Sequence, residues 1–410
     1  MKVTVTDSKR INIRWLYLVV GVVALLFAGI IYGWSILKAP LAEDFGWTAD
    51  QLAVNFTLTM CFFCLGGFIG GLLYRKMGAR LLLILSGVIG CAGFFLTSRL
   101  SGNVAVLYIS YGVLAGLGIG LAYNAVITTV NAWFPDKKGL CSGALMMGFG
   151  ISALVIGKAA DVLFNTPGVG WRTTFLILGI ALGVVLVAAG LILRLPASDL
   201  KLPQQPQKAG ASSENFEVRD FTPGQMVRRF TFWRAFVCMV FLAAVGNTVI
   251  SFARDLSLSV GAEAGLATTL VGVLSVCNGL GRIATGAIFD KLGRRKTMLL
   301  ANIVSIAAAG VTLLSVFTSS VPLCVVGLCV TGFSYGSCPT ISSAFTSAFY
   351  GSRNFSINFS IMNFNLMGAS LMATVSSKLF TVSGGYLAPF VMLLALSAVA
   401  LVLNLSIRRP

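Results

Sequence analysis

The chain has 410 residues, of which 57% are hydrophobic and only 10% charged, against about 25% charged in ordinary soluble domains. A water-soluble domain cannot cover that much apolar surface, so lipid is the solvent for most of this chain. The net charge of +17 would suit a nucleic-acid binder. However, most of the 30 Lys and Arg fall in segments on one side of the apolar runs, which is the positive-inside pattern of a membrane protein. The bilayer and its anionic headgroups are the natural partner of that excess, and nucleic acid is not.

In lipid every backbone polar group must be paired internally, so only helices or a closed barrel can span. The apolar runs are long and continuous rather than alternating, which selects helices. Lys2, Lys9, Arg10 and Arg14 precede the first run, and residues 15–37 are long enough to stay as a first span rather than a cleaved signal. Further spans are predicted over 50–73, 81–98, 104–131, 139–163 and 172–194. A second set follows over 233–253, 265–288, 297–317, 321–346, 355–379 and 385–407. The polar stretch 196–228, with Pro196, Pro203 and Pro206, reads as a flexible cytoplasmic linker. The expected organisation is an N-terminal six-helix bundle (1–195), the linker (196–228) and a C-terminal six-helix bundle (229–410), with both termini cytoplasmic.

An internal repeat supports the division. Gly71-Leu72-Leu73-Tyr74-Arg75-Lys76-Met77-Gly78 follows the second span, and Gly286-Ala287-Ile288-Phe289-Asp290-Lys291-Leu292-Gly293 follows the eighth. The same spacing carries Lys138 onto Arg353 and Arg14 onto Arg229. The second copy continues as Arg294-Arg295-Lys296 and resembles the loop signature of the major facilitator superfamily. That resemblance implies twelve helices in two pseudo-symmetric bundles, with Asp290 capping a neighbouring helix. In the first copy Arg75 occupies the Asp position.

Narrower features lie in Arg14-Trp15-Leu16-Tyr17, Tyr32-x-Trp34-Ser35 and Trp133-Phe134-Pro135-Asp136-Lys137-Lys138-Gly139. Others are Phe221-Thr222-x-x-Gln225-Met226, Phe232-Trp233 and Asn278-x-x-x-Arg282. These are similar to the oxalate/formate antiporter family and to bacterial monocarboxylate transporters. The implied setting is a bacterial inner membrane.

Arg282 is the one basic residue placed well inside a span. A central Arg costs about 2.5–3.5 kcal/mol on insertion scales, and no Asp or Glu falls deep in an apolar run to pair with it. An uncompensated guanidinium suits an anionic ligand, whose carboxylate its fork can hold at two points. The alternative is snorkelling, but Asp290 at the loop lies eight residues away, roughly 12 Å along a helix. The resemblance also makes Arg282 a carboxylate anchor. Asn278, one turn earlier, shares its face; it either contacts the same ligand or holds the guanidinium. Tyr32, Tyr123, Asn124 and Tyr335 are mid-span polar groups on helices that line the central cavity in the superfamily. They are read as ligand contacts or as packing.

Gly112, Gly116, Gly118 and Gly120 sit inside a span, where small residues allow close helix approach, and do not form a dinucleotide loop. Lys158 and Asp161 are expected to pair at the end of the fifth span, or to act as a gate. Cys61 and Cys64 are one turn apart, but with no His and no nearby acid they read as buried small side chains. No metal and no cofactor are expected.

Oxalate carriers of the family hold a second cation, a Lys of the eleventh span, and alignment on Arg353-Asn354-Phe355 places Met362 there. Phe359 falls on an aromatic of that span and Thr331 on a Trp of the tenth. With one cation, a dianion would keep an uncompensated charge in low dielectric. The expected substrate is a small monocarboxylate of the lactate, pyruvate or formate type, moved by a monomeric carrier. Phe359 and Met362 would form the apolar wall. Oxalate or another dicarboxylate is the alternative. Without a titratable group in the spans, coupling is by proton symport (the proton on substrate or water), by anion exchange, or absent in a uniporter. No enzyme is read here, because Ser/His/Asp, Cys/His and metal-ligand clusters are missing from the sequence. Repeat and loop motifs favour a carrier over a channel.

Overall fold

The computed structural model describes residues 5–134, 138–196, 220–351 and 354–407. The side chains of residues 5–12, 138–140, 355 and 356, and those of Arg75 and Asp290, are outside the description. So are most of the predicted linker, Arg353 and Pro135-Asp136-Lys137.

Every described secondary element is helical. Eleven helices are long and apolar enough to cross a membrane. We number them by place in the twelve-helix order. The first six are α1 (Ile13–Leu37), α2 (Ala49–Tyr74), α3 (Lys76–Ser98), α4 (Val104–Asn131), α5 (Cys141–Phe164) and α6 (Gly170–Ile192). The next four are α7 (Phe230–Ser259), α8 (Ala264–Phe289), α9 (Lys291–Phe317) and α10 (Val321–Tyr350). Place α11 is filled by two consecutive helices, Phe355–Asn363 and Asn365–Ser383, and α12 is Leu387–Ser406.

The single span predicted over 355–379 is therefore corrected to a broken one. The break at Phe364 frees carbonyls that a straight helix would pair, and side chains take them up. Asn365 Nδ2 donates to Met362 O at 2.7 Å and Cys64 Sγ to Asn363 O at 3.5 Å; just past the break, Asn247 Nδ2 also donates to Leu366 O at 3.2 Å. Irregular backbone at membrane depth is tolerated where protein satisfies it in this way.

The predicted cationic loops are also shorter than expected. Helix continues almost through them, turning only at Gly78 (φ 72°, ψ 171°) and Gly293 (φ 71°, ψ 176°). That conformation is accessible only to glycine without strain. It is the same at both copies, so the repeat is conformational as well as textual. Helix α1 departs from regularity too. Gly29–Gly33 form a tighter turn, and a side chain on Gly29 would strike the Phe149 carbonyl of α5.

Glycine contacts set the packing of each half. A Cβ on Gly66, Gly116 or Gly120 would collide with the carbonyl of Leu117, Thr59 or Phe63 across the α2–α4 seam. In the α8–α10 seam the same collisions would occur at Gly281, Gly332 and Gly336 with the carbonyls of Phe333, Leu274 and Asn278. Each residue of α8 stands 215 positions after its counterpart in α2, and each residue of α10 stands 216 after its counterpart in α4. These seams bring backbones into direct contact, as small residues do in membranes.

The first six and last six helices meet through α1–α7, α2–α11 and α5–α8. At the end remote from the Gly78 and Gly293 turns, Lys38 Nζ pairs with Asp255 Oδ2 at 2.6 Å. Ser377 Oγ donates to Asp50 Oδ1 at 2.7 Å. Thr57 Oγ1 donates to Ser370 O at 2.7 Å. Lys158 Nζ donates to Thr269 Oγ1 at 2.9 Å rather than pairing with Asp161. That end of the molecule is closed.

Candidate functional site

Arg282 lies inside α8, seven residues before its Phe289 end, 4% exposed. The α8–α10 seam holds its backbone: an alanine methyl on Gly336 would strike Asn278 O and crowd Arg282 N. Thr340 Oγ1 donates to Arg282 O at 3.3 Å. Arg282 Nε donates to Asn278 Oδ1 at 3.2 Å, so Asn278 orients the guanidinium from one turn away. Nη2 donates to Tyr32 Oη at 3.4 Å. Nη1 is buried with no hydrogen-bond partner, and so is Asn278 Nδ2. Among the described residues no carboxylate pairs with Arg282, and the side chains of Tyr32, Tyr123 and Tyr335 line the cavity beside it.

The hydroxyls continue as a chain. Tyr32 Oη and Tyr335 Oη are 3.5 Å apart, and Tyr335 Oη donates to Asn247 Oδ1 at 2.8 Å. Asn247 in turn holds Leu366 O just past the α11 break. One polar network thus ties α8, α1, α10, α7 and α11 together. Tyr335 fits only because Gly246 lacks a side chain; a Cβ there would collide with the ring. Aromatic rings close the other side. Phe149 meets Tyr32 at 5.2 Å and Tyr123 at 5.1 Å between centroids, and Phe63 meets Tyr123 at 5.3 Å.

These residues enclose a small cavity lined by Tyr32, Phe63, Tyr123, Arg282, Tyr335, Pro339, Asn363 and Leu366, with about 20 Å³ of room. That is space for about one water. The structure therefore gathers Arg282, Asn278, Tyr32, Tyr123 and Tyr335. It places the others elsewhere. Asn124 Nδ2 is bound to Gly67 O at 2.8 Å and serves the α2–α4 seam. Met362 is fully buried outside the lining, as is Thr331. Phe359 is also outside it, and the α11 wall is made by Asn363 and Leu366. Of the loop residues, Gly71 lies beside Asn124 and Ser360, and Gly286 beside Thr340. Arg294 stacks on the Phe349 ring at 4.6 Å.

Asn247, Phe63, Phe149 and Pro339 were not singled out from sequence. The repeat carried a signal for Asn247, which stands 215 residues after Tyr32; both touch the Tyr335 hydroxyl. Cys61 and Cys64 are free thiols, and no group of three metal-ligating side chains exists among the described residues.

A bundle of membrane-length helices, closed at one end and holding a buried polar cavity at mid-depth, defines a membrane transporter. The sequence matches the Major Facilitator Superfamily over residues 18–364 and 236–410, and the chain belongs to that family. It is 27% identical over 352 residues to the oxalate:formate antiporter of Oxalobacter formigenes, covering 83% of this chain and 80% of that one. It is 26% identical over 359 residues to the uncharacterised MFS-type transporter YhjX of Escherichia coli, covering 87% and 86%. Monocarboxylate transporter 2 of Mus musculus is 26% identical over 222 residues, 53% of this chain and 45% of that one. Among solved structures the nucleoside transporter NupG superposes with a TM-score of 0.68 over 97% of this chain and 98% of that one. At 14% identity that likeness concerns the fold.

Proposed function

We propose that this protein carries a small monocarboxylate of the lactate, pyruvate or formate type across the bacterial inner membrane. The observation that supports it is the pair of buried, unpartnered donors, Arg282 Nη1 and Asn278 Nδ2. An unsatisfied buried donor costs about 1–3 kcal/mol, more when charged, and a carboxylate oxygen relieves both. Arg282 anchors the anion and Asn278 steers the guanidinium. Tyr32, Tyr123 and Tyr335 donate or wall the pocket. Two bundles, 1–195 and 229–410, rock about this midplane site in alternating access. The Gly78 and Gly293 turns face the cytoplasm with both termini, and Lys38–Asp255 closes the outside. The carrier works as a monomer. Its proton, where one is coupled, rides on substrate or water, and anion exchange is the other coupling mode.

The test is uptake of labelled lactate, pyruvate, formate and oxalate into proteoliposomes, for wild type and Arg282→Ala, with and without a pH gradient. Monocarboxylate uptake lost in Arg282→Ala is the expected result. Oxalate uptake by the wild type, or monocarboxylate uptake indifferent to Arg282, overturns the single-anchor site and returns the dicarboxylate reading.

A further inference from the structure

The two asparagines that flank Phe364 at the α11 break are used differently. Asn365 is spent on the fold: its Nδ2 donates to Met362 O at 2.7 Å and to Ser342 Oγ at 3.3 Å. Asn363 is tied to α2 through its carbonyl, which accepts from Cys64 Sγ at 3.5 Å. Among the described residues nothing is hydrogen-bonded to its side-chain amide. Closing the break therefore explains Asn365 and leaves the Asn363 amide unexplained.

Asn363 lines the same cavity as Arg282, and it is the polar residue that α11 contributes there. The apolar part of the lining is Phe63, Pro339 and Leu366. With about 20 Å³ of room, the walls stand about one small group apart, so a ligand held by Arg282 is within reach of Asn363. The α11 wall is also fixed relative to the anchor. Asn247 holds Leu366 O with its Nδ2 and accepts from the Tyr335 hydroxyl with its Oδ1.

We propose that Asn363 is a specificity position of the site: its amide binds an oxygen on the carbon next to the carboxylate, so the carrier favours 2-hydroxy and 2-oxo monocarboxylates over acids that lack that oxygen. An amide presents both a donor and an acceptor. Its Nδ2 donates to a keto or hydroxyl oxygen, and its Oδ1 accepts from a hydroxyl. A site built to bond a substrate oxygen rejects the analogue without it, because the site's own polar groups are then left unpaired. The amide carries no charge, so it offers a second carboxylate no counter-ion. Phe63, Pro339 and Leu366 meet the apolar end of the acid. The proposal rests on the monocarboxylate reading with Arg282 as the anchor, and the experiment separates the two.

Uptake of labelled lactate and of propionate, which has the same carbon chain without the hydroxyl, is compared in proteoliposomes for wild type, Asn363→Leu and Asn363→Ala. The wild type is expected to favour lactate about tenfold, the worth of one hydrogen bond, and both variants to lose that preference. Pyruvate should follow lactate. Leucine keeps the bulk and alanine removes it, so a loss in both assigns the effect to the amide rather than to packing; where one variant does not fold, the other decides. Equal uptake of lactate and propionate by the wild type overturns the proposal with no variant needed, and so does a preference unchanged in either variant. A wild type that carries formate but neither longer acid also overturns it, and leaves the monocarboxylate reading standing. Uptake indifferent to Arg282 instead refutes that reading.

Discussion

Removing the ion pair at the closed end should have unequal effects depending on which partner is removed. Lys38 Nζ and Asp255 Oδ2 are 2.6 Å apart, with side chains 10% and 41% exposed. Asp255→Ala leaves a nearly buried ammonium with no counter-charge. Breaking a fully buried pair in this way costs about 3–5 kcal/mol; water reaching the Asp side reduces that to about 2 kcal/mol here. Lys38→Ala leaves a carboxylate that water can solvate, at about 1 kcal/mol or less. Each 1.4 kcal/mol is tenfold, so the population open at this end should rise about thirtyfold for Asp255→Ala and about fivefold for Lys38→Ala. The double substitution should fall back toward the Lys38→Ala value, since no buried charge then remains. The assay is the rate of maleimide labelling of a Thr57→Cys reporter, in a background with the nine native cysteines replaced. Thr57 is buried at that end and bound to Ser370 O. Labelling as slow in Asp255→Ala as in the parent, or faster in Lys38→Ala than in Asp255→Ala, would falsify the assignment of this pair as the lock.

Two further outcomes follow from the site's support. Tyr335→Phe strips Asn247 Oδ1 of its donor at 2.8 Å and should destabilise by about 1–3 kcal/mol. Asn247→Leu also removes the bond to Leu366 O and should cost more, and the pair together should cost less than the sum because the Tyr335–Asn247 bond is lost in both; thermal unfolding in detergent reads this. Gly336→Ala drives a methyl into the Asn278 carbonyl, should shift α8 with Arg282, and should abolish uptake. Gly286→Ala, whose methyl meets only Thr340 Cγ2 at 3.8 Å, should leave uptake intact.

Much of the architecture was readable from the residues because bilayer thickness and hydropathy leave little choice. The predicted span 104–131 matches α4 residue for residue. The eleventh span was misjudged for a physical reason. Asn363 and Asn365 look like polar residues tolerated in a helix, and only tertiary structure reveals that Asn365 closes a break. Phe359 and Met362 lie before the break, on Phe355–Asn363, and are outside the cavity lining; Asn363 and Leu366, which flank Phe364, take the wall. Asp255 fell outside the predicted seventh span, 233–253, because charge marks an expected helix end. Helix α7 nevertheless runs on to Ser259, since Lys38 meets that charge. Arg282 was legible because an isolated cation in an apolar run has no structural reason to persist. Of its hydrogen-bond partners, Asn278 was legible from the one-turn spacing, and Tyr32 only as a mid-span polar group.

The two halves share a backbone plan and differ in chemistry, and the difference is concentrated at the cavity. Packing contacts repeat as glycine for glycine: Gly66 and Gly281, Gly116 and Gly332, Gly120 and Gly336. Positions that face the cavity do not repeat. Of the residues lining it, Phe63 has Asn278 as its counterpart, Arg282 has Gly67, and Tyr123 has Pro339. The seams stay alike because a methyl at any of these glycines would drive packed backbones apart. The cavity carries no such constraint, so the second half supplies the charge, while the first supplies the Tyr32 hydroxyl that meets it and the rings of Phe63, Tyr123 and Phe149. On the proposed reading the anion is held by the free donors of Arg282 and Asn278 on α8 and closed in by the rings of Phe63, Tyr123 and Phe149 on α2, α4 and α5.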